Sequence, residues 1–320
     1  MTQIGSRSIV DRLVEEPVLG DGGYLVELER RGYVETGKWL PTVVLDHPGV
    51  LRQLHQEFIR AGSEVLQALT FFANRHSLES RAGRGREAEK LNRDAVSIAR
   101  EASAGQALVA GTICTVRLLD TKYRRGVKSA SASPEALGAV RRELREQVGW
   151  LSSAGCDFIV AETFYRLDEA IVAVEEAKAT GLPVVATMCF KGDPYTGDGF
   201  SAGECGHRLA DAGADVVGVN CQRDGKSLLP LVREMRQAVS CPVAAQPLGL
   251  RTPDGWLDSE DPSTFERMQL SREEWSEFAE KAIEEGVGYI GACCGAGPSG
   301  IRGMAESLGK PTWLTGRVVA

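Results

Sequence analysis

Three cysteines in this chain have the residue type and the spacing of a metal site. Cys221 ends the run GVNC, and Cys293 and Cys294 lie in the run GACCG. Each run follows a predicted buried strand, so both sites are expected at strand C-termini around the same mouth. Three thiolates with one open position are typical of a catalytic zinc site, because structural zinc sites use four protein ligands. The small residues beside the pair let two adjacent thiols reach one Zn²⁺.

Two other interpretations of the cysteines stay open. Buried structural cysteine is the better interpretation for any single one, and it is preferred for Cys114, Cys156, Cys189, Cys205 and Cys241. A redox pair formed by the adjacent cysteines of GACCG is disfavoured, because neighbouring residues form a strained disulfide.

Two carboxylates also follow predicted strands. Asp21 lies in GDGG, where Gly22 and Gly23 allow the backbone to approach a ligand closely. A plain Asp-Gly turn is the more common origin of such letters. Glu162 ends the apolar run FIVAE. A buried lone carboxylate needs a partner, and the ammonium group of a ligand is a candidate.

Aromatic residues and one glycine motif are less specific. Phe71 and Phe72 are core residues by default, whereas Trp39 lies in a loop with Gly, Lys and Pro and is harder to explain by packing. The run GAGPSG has the letters GxGxxG, but a dinucleotide site also needs a βαβ unit and an acidic residue well downstream. A turn from strand to helix explains this run.

The composition excludes several classes of function. The chain has 320 residues and a formal net charge of -7, without a concentrated basic patch, which disfavours nucleic-acid binding. No apolar run approaches the roughly 20 residues that span a bilayer, and the N-terminus lacks a signal-peptide pattern. Eight cysteines do not resemble a secreted disulfide framework. We therefore expect a cytoplasmic protein with no membrane or nucleic-acid partner.

Short apolar runs alternate with helical periodicity along the whole chain. Strands are predicted near residues 17–19, 64–70, 107–112, 157–161, 183–188, 215–220, 242–246 and 288–292. Nearly continuous apolar strands are typical of parallel sheets, which are buried on both faces. Eight such units predict an α/β fold, a (β/α)8 TIM barrel forming a single domain over residues 1–320. An open doubly wound sheet is the alternative.

Three long irregular stretches are expected at residues 20–41, 114–134 and 247–270. Each follows a predicted strand, and loops after barrel strands build the active-site face. These loops should therefore converge on the mouth that holds the cysteines.

Several motifs occur in the order found in one enzyme family. They are GDGGYLVELERRGY, the loop of Trp39, HQEFIRAGSEVLQALTFFAN, AET, ATMC, GECGHRLADAGADVVGVNC, AQPLGLRTPDG and GACCG. Over residues 18–308 the chain resembles the homocysteine S-methyltransferase family, with the closest likeness to its betaine–homocysteine members. The resemblance implies a zinc-bearing barrel whose ligands are the three cysteines. It also implies homocysteine binding by Asp21, Gly22, Gly23 and Glu162, and packing of Trp39 on the methyl donor.

The chain departs from the betaine enzymes at two places. They carry tyrosine where this chain has Phe72 and Thr163, and they possess a C-terminal extension used in oligomer assembly. Phe71, Phe72 and Trp39 keep an aromatic wall, which is expected to attract an onium methyl donor. The resemblance therefore leaves open a betaine, a sulfonium, a methyl-corrinoid or another donor, and it leaves open whether the chain forms a homo-oligomer.

The expected reaction moves a methyl group from the donor to the thiol of homocysteine, giving methionine. The thiolate is the nucleophile, and zinc favours that form. No general-base histidine is required, because no proton leaves the methyl group. Two rivals remain: a lyase or aldolase barrel with incidental cysteines, and a non-enzymatic module that binds zinc or thiols.

Overall fold

A computed structural model describes residues 7–35, 39–119, 131–252, 255 and 268–312 of the chain. Eight parallel strands form one sheet in the order β1-β8-β7-β6-β5-β4-β3-β2. The strands are β1 (Val18–Leu19), β2 (Val65–Gln67), β3 (Leu108–Cys114), β4 (Phe158–Phe164), β5 (Val184–Met188), β6 (Val216–Asn220), β7 (Val243–Gln246) and β8 (Tyr289–Ile290).

The two ends of this sheet meet between β1 and β2. The backbone N–H of Glu64 donates to the carbonyl of Leu19 at 2.8 Å. The N–H of Leu19 donates to the Glu64 carboxylate at 2.9 Å. These bonds close the barrel, so the predicted (β/α)8 fold is confirmed and the open doubly wound sheet is wrong. All eight predicted strands are present; that residues 1–320 form a single domain stays a prediction.

Helices follow the strands and surround the barrel. They are α1 (Ile9–Glu15), α2 (Tyr24–Arg30), α3 (Val43–Asp46), α4 (Pro48–Ala61), α5 (Arg75–Ala82), α6 (Ala88–Ser103), α7 (Pro134–Ser153), α8 (Leu167–Lys178), α9 (Ala202–Asp211), α10 (Gly225–Ala238), α11 (Arg272–Glu284) and α12 (Pro298–Ser307). None of these described helices combines the length and apolarity that a bilayer crossing requires.

Local sequence signals explain where α11 starts and ends. The Ser271 hydroxyl accepts from the Glu274 N–H at 3.2 Å, and the Glu274 carboxylate accepts from the Ser271 N–H at 2.7 Å. This is a capping box, which satisfies two amide groups that a helix start leaves without partners. Gly286 follows the helix with φ of 75°, a left-handed conformation that glycine adopts at little cost.

The barrel interior is packed with apolar side chains at the end away from the strand C-termini. The cluster there is Ile9, Val18, Val65, Leu108, Ala110, Phe158, Val160, Val185, Val216, Ala244 and Tyr289. Ile9 belongs to α1, so this helix covers the N-terminal end of the barrel. The opposite end is left for function, as is usual for this fold.

The three stretches that were predicted to be irregular are irregular only in part. The stretch 20–41 contains α2, so the expectation of a loop is wrong there. Residues 120–130, 253–254 and 256–267 of the other two stretches lie outside the described residues.

Candidate active site

The three predicted cysteines meet at the C-terminal end of the barrel. Cys221 directly follows β6, and Cys293 and Cys294 lie three and four residues after the end of β8. Their Sγ atoms all lie within 4.8 Å of one another, and those of Cys293 and Cys294 are 4.0 Å apart. Tetrahedral zinc with Zn–S bonds of about 2.3 Å would hold its thiolates about 3.8 Å apart. The thiols therefore fit a metal ion, and they are the only such cluster among the described residues.

Backbone hydrogen bonds from neighbouring strands hold the cysteines in place. The Cys221 N–H donates to Gln246 at 2.9 Å, and the Cys293 N–H donates to Pro247 at 2.8 Å. Cys221 also has a positive φ of 57°. Such a conformation costs energy in a residue other than glycine, and it is typical of functional sites that the surrounding structure enforces.

The electrostatics set Cys221 apart from the five cysteines outside the cluster, whereas the pKa values of Cys293 and Cys294 are raised by their hydrogen bonds with Cys221 and by burial. Hydrogen bonds from Cys293 and Cys294 lower the pKa of the Cys221 thiol, so the cluster favours at least one thiolate, the form that binds a metal. Burial instead raises the pKa of Cys156 to about 12 and raises those of Cys114, Cys189, Cys205 and Cys241. All eight cysteines are free. Four of these five are buried, as predicted, whereas Cys241 is half-buried.

A β-bulge in β4 places two consecutive side chains on the same face. The pairing of β4 with β5 shifts register between Ala161 and Phe164, and Thr163 has φ of 60°. In a regular strand neighbouring side chains point to opposite faces, whereas a bulge redirects one of them. Glu162 and Thr163 consequently line the same cavity. The strand was predicted to end at residue 161, but it continues to Phe164.

Glu162 is a carboxyl group without a cationic partner among the described residues. It is only 8% exposed and accepts a hydrogen bond from the Asn220 side-chain amide at 3.1 Å. Burial raises its pKa to about 8, and repulsion from Cys221 and Asp21 adds to the effect. Such a group is suited to a cationic ligand, which would restore its charged form.

Asn220 connects the carboxyl group to the cysteines, and the sequence analysis missed it. Its amide donates to the Thr163 hydroxyl at 2.7 Å and to Cys293 Sγ at 3.8 Å. Its carbonyl accepts from the Thr163 N–H at 3.0 Å and from the Thr187 hydroxyl at 2.9 Å. The available signal was a polar residue at the end of the apolar run VVGVN.

Asp21 is not among the residues that line this cavity. It is fully buried, and its Oδ2 accepts from the Gln67 N–H at 2.7 Å and the Tyr24 hydroxyl at 2.5 Å. Burial raises its pKa to about 7, and Oδ1 has no hydrogen-bond partner among the described residues. His55 lies 2.8 Å from the Tyr24 hydroxyl. Burial lowers its pKa to about 3, so its imidazole is a weak base, and it lines neither of the cavities at the cysteines.

Gly22 and Gly23 line the smaller cavity, but their lack of a side chain serves protein packing. A Cβ on Gly23 would lie 2.6 Å from the Cys293 carbonyl oxygen and 2.8 Å from Cys294 Cα. The Gly23 N–H is already donated to Ala296 at 2.9 Å. These glycines therefore let the loop after β1 contact the cysteine loop directly.

Two cavities meet at the cysteines. The smaller one, of about 80 Å³, includes Glu162. The larger one, of about 230 Å³, includes Trp39 and Tyr165. The residues common to both are Leu25, Phe71, Thr163, Cys221 and Cys294. This arrangement can hold two small molecules that approach each other at the thiols.

The predicted donor residues all line the larger cavity, with one difference from expectation. Trp39, Phe71, Phe72 and Thr163 are present there, but two arginines lie over the ring of Phe72.

Backbone strain is also concentrated around the larger cavity. Six of the seven described non-glycine residues with positive φ line this cavity, namely Trp39, Phe72, Arg117, Thr163, Cys221 and Gln222. Arg81, Arg117 and Lys191 were missed, although the last two follow strands as the cysteines do.

Comparisons with known proteins agree with this arrangement. The family model described as homocysteine S-methyltransferase matches residues 18–308. Betaine–homocysteine S-methyltransferase 1 of Danio rerio is 39% identical, covering 96% of this chain and 77% of that protein. An S-methylmethionine–homocysteine S-methyltransferase of Pongo abelii is 38% identical over 94% of this chain and 81% of its own length.

A solved structure shares the fold. The metallated form of the homocysteine methyltransferase MmuM from Escherichia coli superposes with a TM-score of 0.72 at 20% identity, covering 91% of this chain and 96% of that one. The family model matches most of the chain, and the motif cysteines lie together at the C-terminal end of the barrel. This chain therefore belongs to the homocysteine S-methyltransferase family.

Proposed function

We propose that this protein is a zinc-dependent methyltransferase that moves a methyl group from an onium donor to the thiol of homocysteine, giving methionine. The observation that carries the proposal is the position of the three thiols where two cavities meet. One cavity offers a carboxyl group and the other offers aromatic walls. The donors named for the two relatives, betaine and S-methylmethionine, are both onium compounds.

The smaller cavity suits the amino-acid end of homocysteine. Glu162 lines it, and an ammonium group would supply the cationic partner that this carboxyl group lacks. Asp21 does not line this cavity, but it supports the cavity through hydrogen bonds from Tyr24 and Gln67, which do line it. Asn220 orients Glu162 through its 3.1 Å hydrogen bond.

The thiol of homocysteine would lie at the three cysteines, which are the zinc ligands of the proposal. Zinc, when bound, supplies the Lewis acidity that favours a thiolate at neutral pH. The protein contributes the buried thiols, their fixed spacing and the exclusion of water from the reacting atoms. Water exclusion matters because the opposite charges of thiolate and donor cancel in the transition state. Water would stabilise the charged ground state more than the transition state, and it would therefore raise the barrier.

The larger cavity suits the donor. Trp39 lines it, and an onium group near an indole ring gains roughly 0.5–2 kcal/mol from cation–π attraction. The methyl carbon would face the cysteine end, which both cavities share. The methyl transfer itself moves no proton, and the proton of the homocysteine thiol would pass to solvent when the thiolate forms. The buried and weakly basic His55 is therefore not needed as a base.

Turnover of homocysteine with a panel of donors tests the proposal, together with metal analysis of the purified protein. We expect one zinc per chain, and Cys221→Ser, Cys293→Ser and Cys294→Ser should each lose metal and activity. Cys156→Ser is the matched control, because this thiol is buried away from the cluster. Full activity of a metal-free Cys293→Ser protein would overturn the zinc assignment, and absence of turnover with every donor would overturn the reaction.

The location and assembly of the protein belong to the same proposal. We place it in the cytoplasm, because all eight cysteines are free thiols and reducing compartments keep thiols in that form. Its partners are then small molecules, and sedimentation analysis would establish whether it forms a homo-oligomer.

A further inference from the structure

The larger cavity is lined by three cationic side chains that the proposed chemistry does not use. They are Arg81, Arg117 and Lys191, and the described lining contains no Asp or Glu. None of the three lines the smaller cavity, which contains Glu162. The two cavities therefore differ in their ionisable groups, with a carboxyl group in one and the cationic groups in the other.

Two of these cations share one aromatic ring. The guanidinium carbon of Arg117 lies 4.6 Å from the centre of the Phe72 ring, and that of Arg81 lies 5.1 Å from it. Burial lowers the pKa of Arg81, and the charge of Arg117 lowers it further. Two like charges held together in a cavity repel each other, and an anion between them would relieve this repulsion.

Hydrogen bonds to a buried carboxylate hold the loop that carries Arg117. The buried Glu169 of α8 accepts hydrogen bonds from the Thr115 hydroxyl and the Val116 N–H, both at 2.8 Å. Arg117 itself has φ of 63°, a strained conformation in a residue other than glycine. The structure thus holds a long cationic side chain over Phe72 at a cost in backbone energy.

Lys191 lines the same cavity and follows a different strand. It follows the end of β5 by three residues, and its ammonium nitrogen lies 4.8 Å from the centre of the Tyr165 ring. Neither Lys191 nor Arg117 forms an ion pair with a carboxylate among the described residues. Protein cations that line a cavity without protein anions leave their charge available to a ligand.

We propose that Arg117 and Lys191, with Arg81 beside them, form a subsite that binds a carboxylate of the methyl donor. This inference rests on the proposed function for the identity of the ligand. The preferred donor is then a zwitterion, with its onium group near the cysteines and Trp39 and its carboxylate at the cationic residues. A donor with a net positive charge, or one whose carboxylate is neutralised, is selected against by the same residues.

Equilibrium binding to the zinc-loaded protein tests the subsite independently of turnover. The probes are dimethylsulfoniopropionate and its amide, which differ only in the carboxylate. Their binding is measured by calorimetry without homocysteine, so that no methyl transfer takes place. We expect the acid to bind at least about tenfold more tightly than the amide, as loss of a charge-assisted hydrogen bond implies. γ-Butyrobetaine and its amide provide the same comparison with an ammonium donor.

Variants identify the residues responsible. Arg117→Gln and Lys191→Gln should each reduce the preference for acid over amide severalfold or more, with homocysteine KM and zinc content unchanged. Arg117→Lys keeps the charge and should retain part of the preference. Lys226→Gln, which removes a charge from an exposed position outside the cavity, is the control and should change nothing.

The outcomes separate this inference from the reaction itself. Equal binding of acid and amide by the wild-type protein, no detectable binding of either acid, or an unchanged preference in both Gln variants would overturn the subsite. If homocysteine is not methylated but the acid preference exists and falls in Arg117→Gln, the proposed reaction fails while the anion subsite stands.

Discussion

Replacing Glu162 with Gln should weaken homocysteine binding and at the same time stabilise the free protein. The side chain keeps its size. Its amide oxygen can still accept the hydrogen bond from Asn220, which is 3.1 Å long in the wild-type protein. What disappears is the charge that would pair with the substrate ammonium. Such a charge-assisted bond is worth about 1.5–3 kcal/mol, so the homocysteine KM should rise about 10- to 150-fold while the zinc content stays the same.

The stability effect follows from the raised pKa of this carboxyl group. Its pKa is about 8 in the folded chain against an ordinary 4.5. Between these values the folded state binds more protons than the unfolded state, so stability falls as the pH rises through this window. At pH 7 the difference corresponds to a cost on the order of 3 kcal/mol. The Gln variant lacks this cost and should gain stability above pH 5, with little gain near pH 4.5.

The assay is urea unfolding of reduced, metal-free protein at pH 4.5, 7 and 8, beside homocysteine kinetics of the zinc-loaded enzyme. Glu176→Gln is a matched control with the opposite sign. Glu176 is also buried, but hydrogen bonds from Arg145 and Arg141 outweigh the effect of burial and lower its pKa. Its replacement should destabilise the protein and leave homocysteine KM unchanged. An unaltered KM in Glu162→Gln, or a loss of stability at pH 8, would refute the reasoning.

Two further predictions concern the support of the cysteines. Asn220→Ala leaves the buried Thr163 N–H and Thr187 hydroxyl without their acceptor. It should therefore lower the free energy of unfolding by about 2–4 kcal/mol and raise the homocysteine KM. An unchanged urea midpoint and an unchanged KM would contradict this role. Gly23→Ala would force a Cβ to 2.6 Å from the Cys293 carbonyl oxygen and should reduce the zinc content. Gly49→Ala is the control, because no atom lies within 4 Å of the added Cβ, and it should leave the zinc content unchanged. Equal zinc content in the two variants would show that the close approach at Gly23 is dispensable.

Much of the fold could be predicted because parallel barrel strands are buried on both faces. Their runs are almost continuously apolar, as in VVATM of β5 and VVGVN of β6, and each is visible without knowledge of its neighbours. The same local logic located Cys221 and the cysteine pair, since residues directly after strands of a barrel reach one mouth.

The bulge in β4 shows what such reasoning cannot reach. Glu162 and Thr163 line one cavity because β4 shifts register against β5 and Thr163 adopts a positive φ. Nothing in the letters FIVAETF indicates that break, because it arises from pairing with a different strand. The predicted end of the strand at residue 161 was therefore three residues too early.

The sequence alone thus determined the barrel, the family and the cysteines, all of which depend on local apolar runs or on short motifs at their ends. Tertiary structure alone decided the environment of each polar group. It buried Asp21, connected Asn220 to Glu162 across 58 residues of chain, and placed Arg117 and Lys191 around a cavity without described acidic residues. Burial, the grouping of ionisable side chains and backbone strain are sums over contacts between distant segments, so they exist only once the chain has folded.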